Sequence, residues 1–317
     1  MKTIDLHADT ITKLTHFESL ESNRRSVDIK SLKDADRLIQ CFSAFVPTQF
    51  YPKAVKDVLA WKTYKSIAKK FNAAASSFSS DVRKIECFSD IEACITDGKI
   101  GMMLTIEDGG VIGHDIGKLD EAYNDGVRLI TLTWNGENEI GYPNSDNNAV
   151  MLRELKPFGI ECIEKMNELG IAIDVSHLSD GGFKSVAKHS KKPFTASHSN
   201  ARAITDHRRN LTDEMIKAIA EHGGVIGLNL CGNFLTDDGN ISRVSDLVRH
   251  TMHIYSVGGE EVLALGSDFD GIGGKLEIKT PSDTYKLFDA LKKAGLPQSA
   301  IEKMAYKNSL RFFKDVM

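Results

Sequence analysis

The run Ile171–His177, IAIDVSH, is short, apolar and ends on an imidazole. It reads as a β-strand that delivers a metal-type ligand at its C-terminal end. The same pattern recurs in Thr3–Asp9, which carries His7 and Asp9, in Gly101–Glu107, in Pro193–Ser199, which carries His198, and in Val262–Asp268. Cys41–Pro47, Val127–Trp134 and Val225–Leu230 complete a set of eight strands. Segments such as IAIDV and VIGLNL are apolar without strict alternation, which suits strands covered on both faces, as in a parallel sheet. Several strands that place acids and imidazoles at one end describe a catalytic α/β barrel holding metal.

Helical patterns separate most of the strands: Val55–Phe78, Asp90–Thr96 behind a Ser89 cap, Leu119–Asn124, Glu154–Leu169 stopped by Gly170, Phe183–His189, Glu214–His222 behind Thr212, Val244–Ser256 and Asp283–Ala294. Ala300–Val316 closes the chain. Alternating strands and helices predict right-handed βα units, and eight of them predict closure into a (β/α)8 TIM barrel with all helices outside. No low-complexity linker or composition shift divides the chain, so residues 1–317 are expected to form one domain. Glu18–Arg37 is longer than a simple strand-to-helix link and is expected near the active-site face; Gly141–Asn148 is a second loop of functional length.

A net charge of −4 and the lack of a long basic run give no electrostatic case for nucleic acid. Lys188–Lys192 is the densest basic patch and reads as a solvated helix end. The N-terminus lacks the apolar core of a signal peptide, and no apolar stretch approaches the ~20 residues needed to span a bilayer. Five cysteines with no C-x-x-C spacing fit a reducing cytoplasm. A single disulfide stays open.

The residues at the strand ends carry the chemistry. His7 and Asp9 form H-x-D, and alternate residues of a strand face one way, so both can reach one point. Alone this is weak, since an aspartate cap beside an incidental histidine reads the same. Glu107 closes an otherwise apolar strand, where an ionised carboxylate needs strong partners, and its two oxygens can bridge two cations. His177 and His198 on successive strands shift the balance from structural histidines to metal ligands. Both follow serines, but no G-x-S-x-G elbow is present and neighbours on a strand point to opposite faces, so Ser–His nucleophilic catalysis is set aside. Asp268, in GSDFDG, is placed to take and return a proton beside an activated water. A calcium-loop reading of that motif fails at Ile272 and Lys279, where oxygen ligands are needed; Asp270 is expected to steady the loop. Arg208 and Arg209 read either as a solvated pair or as a carboxylate clamp. The glycine clusters Gly109–Gly113 and Gly271–Lys275 match no phosphate loop.

DLHADT, TIEDGG, RLITLTWN, IDVSHLSD, SHSNAR followed by RRNLTDE, and GSDFDG, in that order from Asp5 to about Phe313, resemble the membrane (renal) dipeptidase family, the M19 metallopeptidases. The resemblance implies an amidohydrolase-type barrel with two zinc ions, one held by His7 and Asp9, the other by His177 and His198, and both bridged by Glu107. It implies hydrolysis of dipeptides, L-L and also L-D, by a metal-bridging hydroxide, with Asp268 as proton carrier and Arg209 as the clamp on the substrate carboxylate. Trp134 departs from the family, which carries a histidine there in mammalian members; tryptophan has only an N–H donor and can wall the pocket or donate one hydrogen bond. The partners implied are a small dipeptide substrate, no nucleic acid and no membrane anchor, with a homodimer left open. The alternatives are an amidohydrolase acting on another amide or lactam, and a metal-binding barrel that has lost activity.

Overall fold

The computed structural model describes residues 1–21 and 23–317. Eight parallel strands close on themselves: β1 Thr3–Asp5, β2 Arg37–Phe45, β3 Ile100–Glu107, β4 Val127–Thr131, β5 Ala172–Asp174, β6 Thr195–Ala196, β7 Val225–Leu228 and β8 Leu263–Leu265. Each pairs with the next, and Asp5 meets Leu265 across the closing seam between β1 and β8. All eight predicted strands are present, and the fold is the expected (β/α)8 barrel. Two short pairings were not foreseen. Val82–Lys84 pairs with the first half of β3, and Ile241–Ser242 pairs with Lys275–Leu276 outside the barrel.

Six of the eight strands are shorter than the sequence pattern predicts, while β2 starts earlier, at Arg37, and β3 matches its predicted run to within one residue. β1 stops at Asp5 rather than Asp9, β5 at Asp174 rather than His177, and β8 at Leu265 rather than Asp268. The reason is local. His177 and Asp268 sit at φ of 68° and 61°, in the left-handed region that no strand continues through. Most of the predicted ligands therefore stand on the turns that leave the strands, and only Glu107 lies within one.

The helices cover the outer face as expected, with shifted ends. Lys56–Ser77 is the longest. The fourth predicted helix begins at Pro157 instead of Glu154, because proline is pre-organised for the first helical position. Ser89 is not the cap of its helix; the helix starts at Phe88, and the Asp90 carboxylate accepts the Cys87 N–H at 3.0 Å. The final segment is interrupted by a π-helical stretch, Lys303–Lys307, between Gln298–Glu302 and Asn308–Val316.

Register places the site. Phe45, Glu107, Thr131, Asp174 and Thr195 are successive partners across β2 to β6, so they form one row near the C-terminal rim. Beyond the strands, the β1 and β8 turns stay joined: Asp268 N–H donates to the His7 carbonyl at 3.1 Å and Asp9 N–H to the Phe269 carbonyl at 2.8 Å. Asp270 steadies this turn, accepting from Thr10 Oγ1 at 2.5 Å and from the Ser26 N–H at 2.8 Å, which draws the Glu18–Arg37 insertion to the site face. Asp108 anchors the next loops, accepting from Thr48 Oγ1, the Gly110 N–H and Asn138 Nδ2.

Gly227 and Gly266 let β7 and β8 approach the Ser197 carbonyl; a Cβ on either would stand 1.9 Å or 1.8 Å from that oxygen. Gly266→Ala must push backbone against backbone. It is expected to lower stability by at least ~1–3 kcal/mol, the usual cost of overpacking. Urea denaturation reads this, and an unshifted midpoint would show that the seam yields without cost.

Candidate active site

Five turns and one strand end bring the predicted residues to the C-terminal rim. Glu107 lies at the centre and divides its two oxygens. Oε2 is 3.4 Å from His7 Nε2, while Oε1 is 3.1 Å from His177 Nε2 and 3.8 Å from His198 Nε2. His7 Nε2 is also 3.9 Å from Asp9 Oδ1 and 3.9 Å from Asp268 Oδ1. The donor atoms of His7, Glu107 and His198 converge closely enough to hold a cation, and so do those of His7, Asp9 and Asp268. The second grouping places Asp268 within ligand reach of the cluster, although the sequence points to it for proton transfer and substrate contact rather than ligation.

All six groups are buried. Burial alone disfavours charge on His7, but Glu107, Asp268 and Asp9 outweigh it and raise its pKa to about 10. Burial pushes the Asp9 carboxyl well up, with Glu107 adding to it. Burial likewise raises Asp268 to about 6, opposed by His7. Burial works against ionisation of Glu107, yet His7 and His177 hold it below the ordinary glutamate value. Burial, then Arg209, depresses His177 to about 4, and burial with His7 keeps His198 neutral. The cluster thus combines carboxylates that demand a positive charge with neutral imidazoles that can share lone pairs.

The residues fit a metal. His7 Nδ1 and Nε2, Asp9 Oδ1 and His198 Nε2 are buried and lack a hydrogen-bond partner among the described residues. Such orphaned atoms are costly in a purely structural cluster, whereas ligation satisfies one on each of His7, Asp9 and His198. The mixed imidazole and carboxylate set suits zinc or a similar divalent ion.

The other predicted residues flank this cluster. Arg209 is buried; its guanidinium donates to the His198 carbonyl at 3.1 Å and to Ser199 Oγ at 3.3 Å and lies 5.3 Å from the Phe234 ring. Arg208 turns outward and pairs with Asp146. Trp134 stays at the rim, half-buried, its ring 6.3 Å from His177, 4.9 Å from Phe45 and 6.2 Å from Phe50.

Several partners escaped the sequence reading. Asn229, after β7, donates to Asp268 Oδ2 at 3.0 Å and to the His198 carbonyl at 3.2 Å. Its only signal was a buried amide at the end of VIGLN. Asn135 Oδ1 lies 3.0 Å from His177 Nδ1. Ser197 does not point away from His198, as strand alternation implied. Its Oγ is 2.7 Å from His198 Nδ1, because β6 ends at Ala196 and the alternation ends with it.

An eight-stranded barrel with acids and imidazoles packed at its C-terminal rim is the architecture of a metal-dependent hydrolase. The chain belongs to the membrane dipeptidase family, peptidase family M19, whose profile matches residues 1–317, and its class is metallo-dipeptidase. It is 35% identical over 237 residues to an uncharacterized protein in the pqqA 5' region of Klebsiella pneumoniae, covering 72% of this chain and 86% of that one. It is also 35% identical over 274 residues to an uncharacterized dipeptidase of Schizosaccharomyces pombe, covering 82% of this chain and 64%, just under two thirds, of the yeast protein. Among solved structures, a Rhodobacter sphaeroides metallo peptidase liganded with a phosphinate mimic of the dipeptide L-Ala-D-Ala superposes with a TM-score of 0.90 at 22% identity, covering 100% of this chain and 99% of the other. The probable dipeptidase PvdM of Pseudomonas aeruginosa has a TM-score of 0.90 at 19% identity, covering 99% and 94%. At these identities the likeness is one of fold. No helix among the described residues is long and apolar enough to cross a membrane.

Because the orphaned donors belong to the folded state, metal binding must stabilise it. Chelation is expected to lower the melting temperature. A divalent ion at about 100 times its Kd should then restore about 2.7 kcal/mol, less any binding to the unfolded chain. A melting curve indifferent to chelator and to zinc would show that the cluster holds no ion.

Proposed function

We propose that the chain is a binuclear zinc dipeptidase that hydrolyses the peptide bond of L-L and L-D dipeptides. One observation carries the binuclear reading: the Glu107 carboxylate faces His7 with one oxygen and the His177–His198 pair with the other. In this reading His7 and Asp9 hold one ion, His177 and His198 the other, and Glu107 serves both. When bound, two zinc ions lower the pKa of a shared water and polarise the scissile carbonyl.

The chain's own residues do the rest. Asn229 pins Asp268 Oδ2, which leaves Oδ1 facing the cluster. From there Asp268 accepts the proton released as the nucleophile attacks and returns it to the leaving amine. Trp134 occupies the position of the histidine in mammalian relatives; it cannot carry a proton and offers one N–H to the substrate or walls the pocket. With Phe45 and Phe50, Trp134 gives the rim an aromatic wall beside His177. Arg209, buried next to His198, holds the substrate carboxylate one residue from the scissile bond. Its planar fork matches two oxygens, and its desolvated charge makes an unpaired or amidated terminus a poor substrate. We read residues 1–317 as one catalytic unit and place it in the cytoplasm, a location that the free thiols of the five cysteines suit.

With zinc retained, Asp268→Asn is expected to lower kcat by ~10²–10⁴, the usual range for a lost general acid–base. Near-normal turnover would remove the proton-carrier role. Arg209→Ala should raise KM for free dipeptides and level the preference over amidated ones. A kinetic panel of free dipeptides, amides, a lactone and a β-lactam measures both variants. Lactone or lactam turnover without any dipeptide cleavage by the wild type would replace the dipeptidase reading.

A further inference from the structure

We propose that Asp174, acting through Ser197, sets the tautomer of His198 and so the metal affinity of one half of the site. The inference deepens the binuclear reading above and rests on it for the affinity, though not for the tautomer. Asp174 ends β5, fully buried, in the same row as Glu107. Its carboxylate receives four donors. Oδ1 accepts the Ser176 N–H at 3.0 Å and the Ser197 N–H at 2.8 Å; Oδ2 accepts Thr131 Oγ1 at 2.6 Å and Ser197 Oγ at 2.5 Å.

A hydroxyl has one proton to donate. Ser197 gives it to Asp174, so toward His198 Nδ1, 2.7 Å away, Ser197 Oγ can only accept. The ring proton therefore resides on Nδ1, and Nε2 presents its lone pair toward Glu107 Oε1, 3.8 Å away, with no hydrogen-bond partner among the described residues. This is the neutral form that ligates a metal, and the partner of the other ring nitrogen selects it. The other imidazoles lack such a constraint. His7 Nδ1 has no partner among the described residues. His177 Nδ1 meets Asn135, whose exposed amide can turn either its oxygen or its nitrogen to the ring. Asp174 and Ser197 are thus positioning residues for one ligand of the cluster.

Asp174→Asn inverts the chain of hydrogen bonds. The two backbone N–H groups cannot rotate, so the new amide must turn its oxygen to them and its NH2 to the hydroxyls of Thr131 and Ser197. Ser197 then accepts from Asn and donates to His198 Nδ1, and the ring proton moves to Nε2, where it blocks ligation. Ser197→Ala removes the hydroxyl and frees the tautomer; it also serves if the first variant folds poorly. Thr131→Val deletes a different hydrogen bond to the same carboxylate oxygen and leaves His198 untouched.

The experiment uses the full chain. Imidazole ¹⁵N NMR of the metal-free protein reads the tautomer, and competition with a chromophoric chelator reads two zinc affinities. The expected result is Nδ1–H at His198 in the wild type and in Thr131→Val, and Nε2–H in Asp174→Asn. One of the two zinc affinities should fall ~10–100-fold in Ser197→Ala and further in Asp174→Asn, as loss of an outer partner of a ligand does. An unchanged tautomer in Asp174→Asn overturns the proposal, and so does an equal loss of both ions, which would mark general damage. A wild type that binds fewer than two zinc ions would instead defeat the binuclear reading, and the tautomer shift would still decide the relay.

Discussion

A buried carboxylate shared between two sets of imidazoles is the constraint around which this barrel is arranged. Glu107 ends β3 out of contact with water, one oxygen toward His7 and the other toward His177 and His198. Such a charge is tolerated only where positive charge meets it. In the protein alone His7 supplies that charge; a bound cation would supply it instead and let His7 join His177 and His198 as a neutral ligand. The same demand explains why so many donor atoms at the rim have no protein partner.

Holding this cluster together strains the backbone around it. His177, Asp268, Asp270 and Asp108 all adopt positive φ, a conformation that costs side-chain-bearing residues energy, least for aspartate. Each strained aspartate is secured by its side chain. Asp268 is held by Asn229, Asp270 by Thr10 and Ser26, and Asp108 by Thr48, Gly110 and Asn138. The polar network outside the ligands therefore offsets the bends that aim them.

Much of the fold was legible because a strand buried on both faces leaves a strong mark: a short apolar run between helical patterns. The ligands were legible because acids and imidazoles at the ends of such runs are conspicuous. Their neighbours were not. Asn229 and Asn135 look like ordinary loop amides, and Asp174 sits inside IAIDV as an unremarked acid. Strand alternation also misled where strands end early. It sent Ser197 away from His198, whereas the chain leaves the ladder after Ala196 and turns the hydroxyl onto the ring. Helix starts moved for comparable local reasons, at Pro157 and at Phe88.

The sequence by itself determined the eight strands, their parallel order and the identity of the groups at one rim, since periodicity and residue chemistry are local properties. Only the tertiary structure decided how Glu107 divides its oxygens, that Asp268 stands within reach of His7 and Asp9, and that Ser197 links Asp174 to His198. Those relations join residues as far apart as His7 and Asp268 across a closed sheet, and they depend on register and on the φ of single residues. No local pattern records such quantities, because they exist only once β8 has closed against β1.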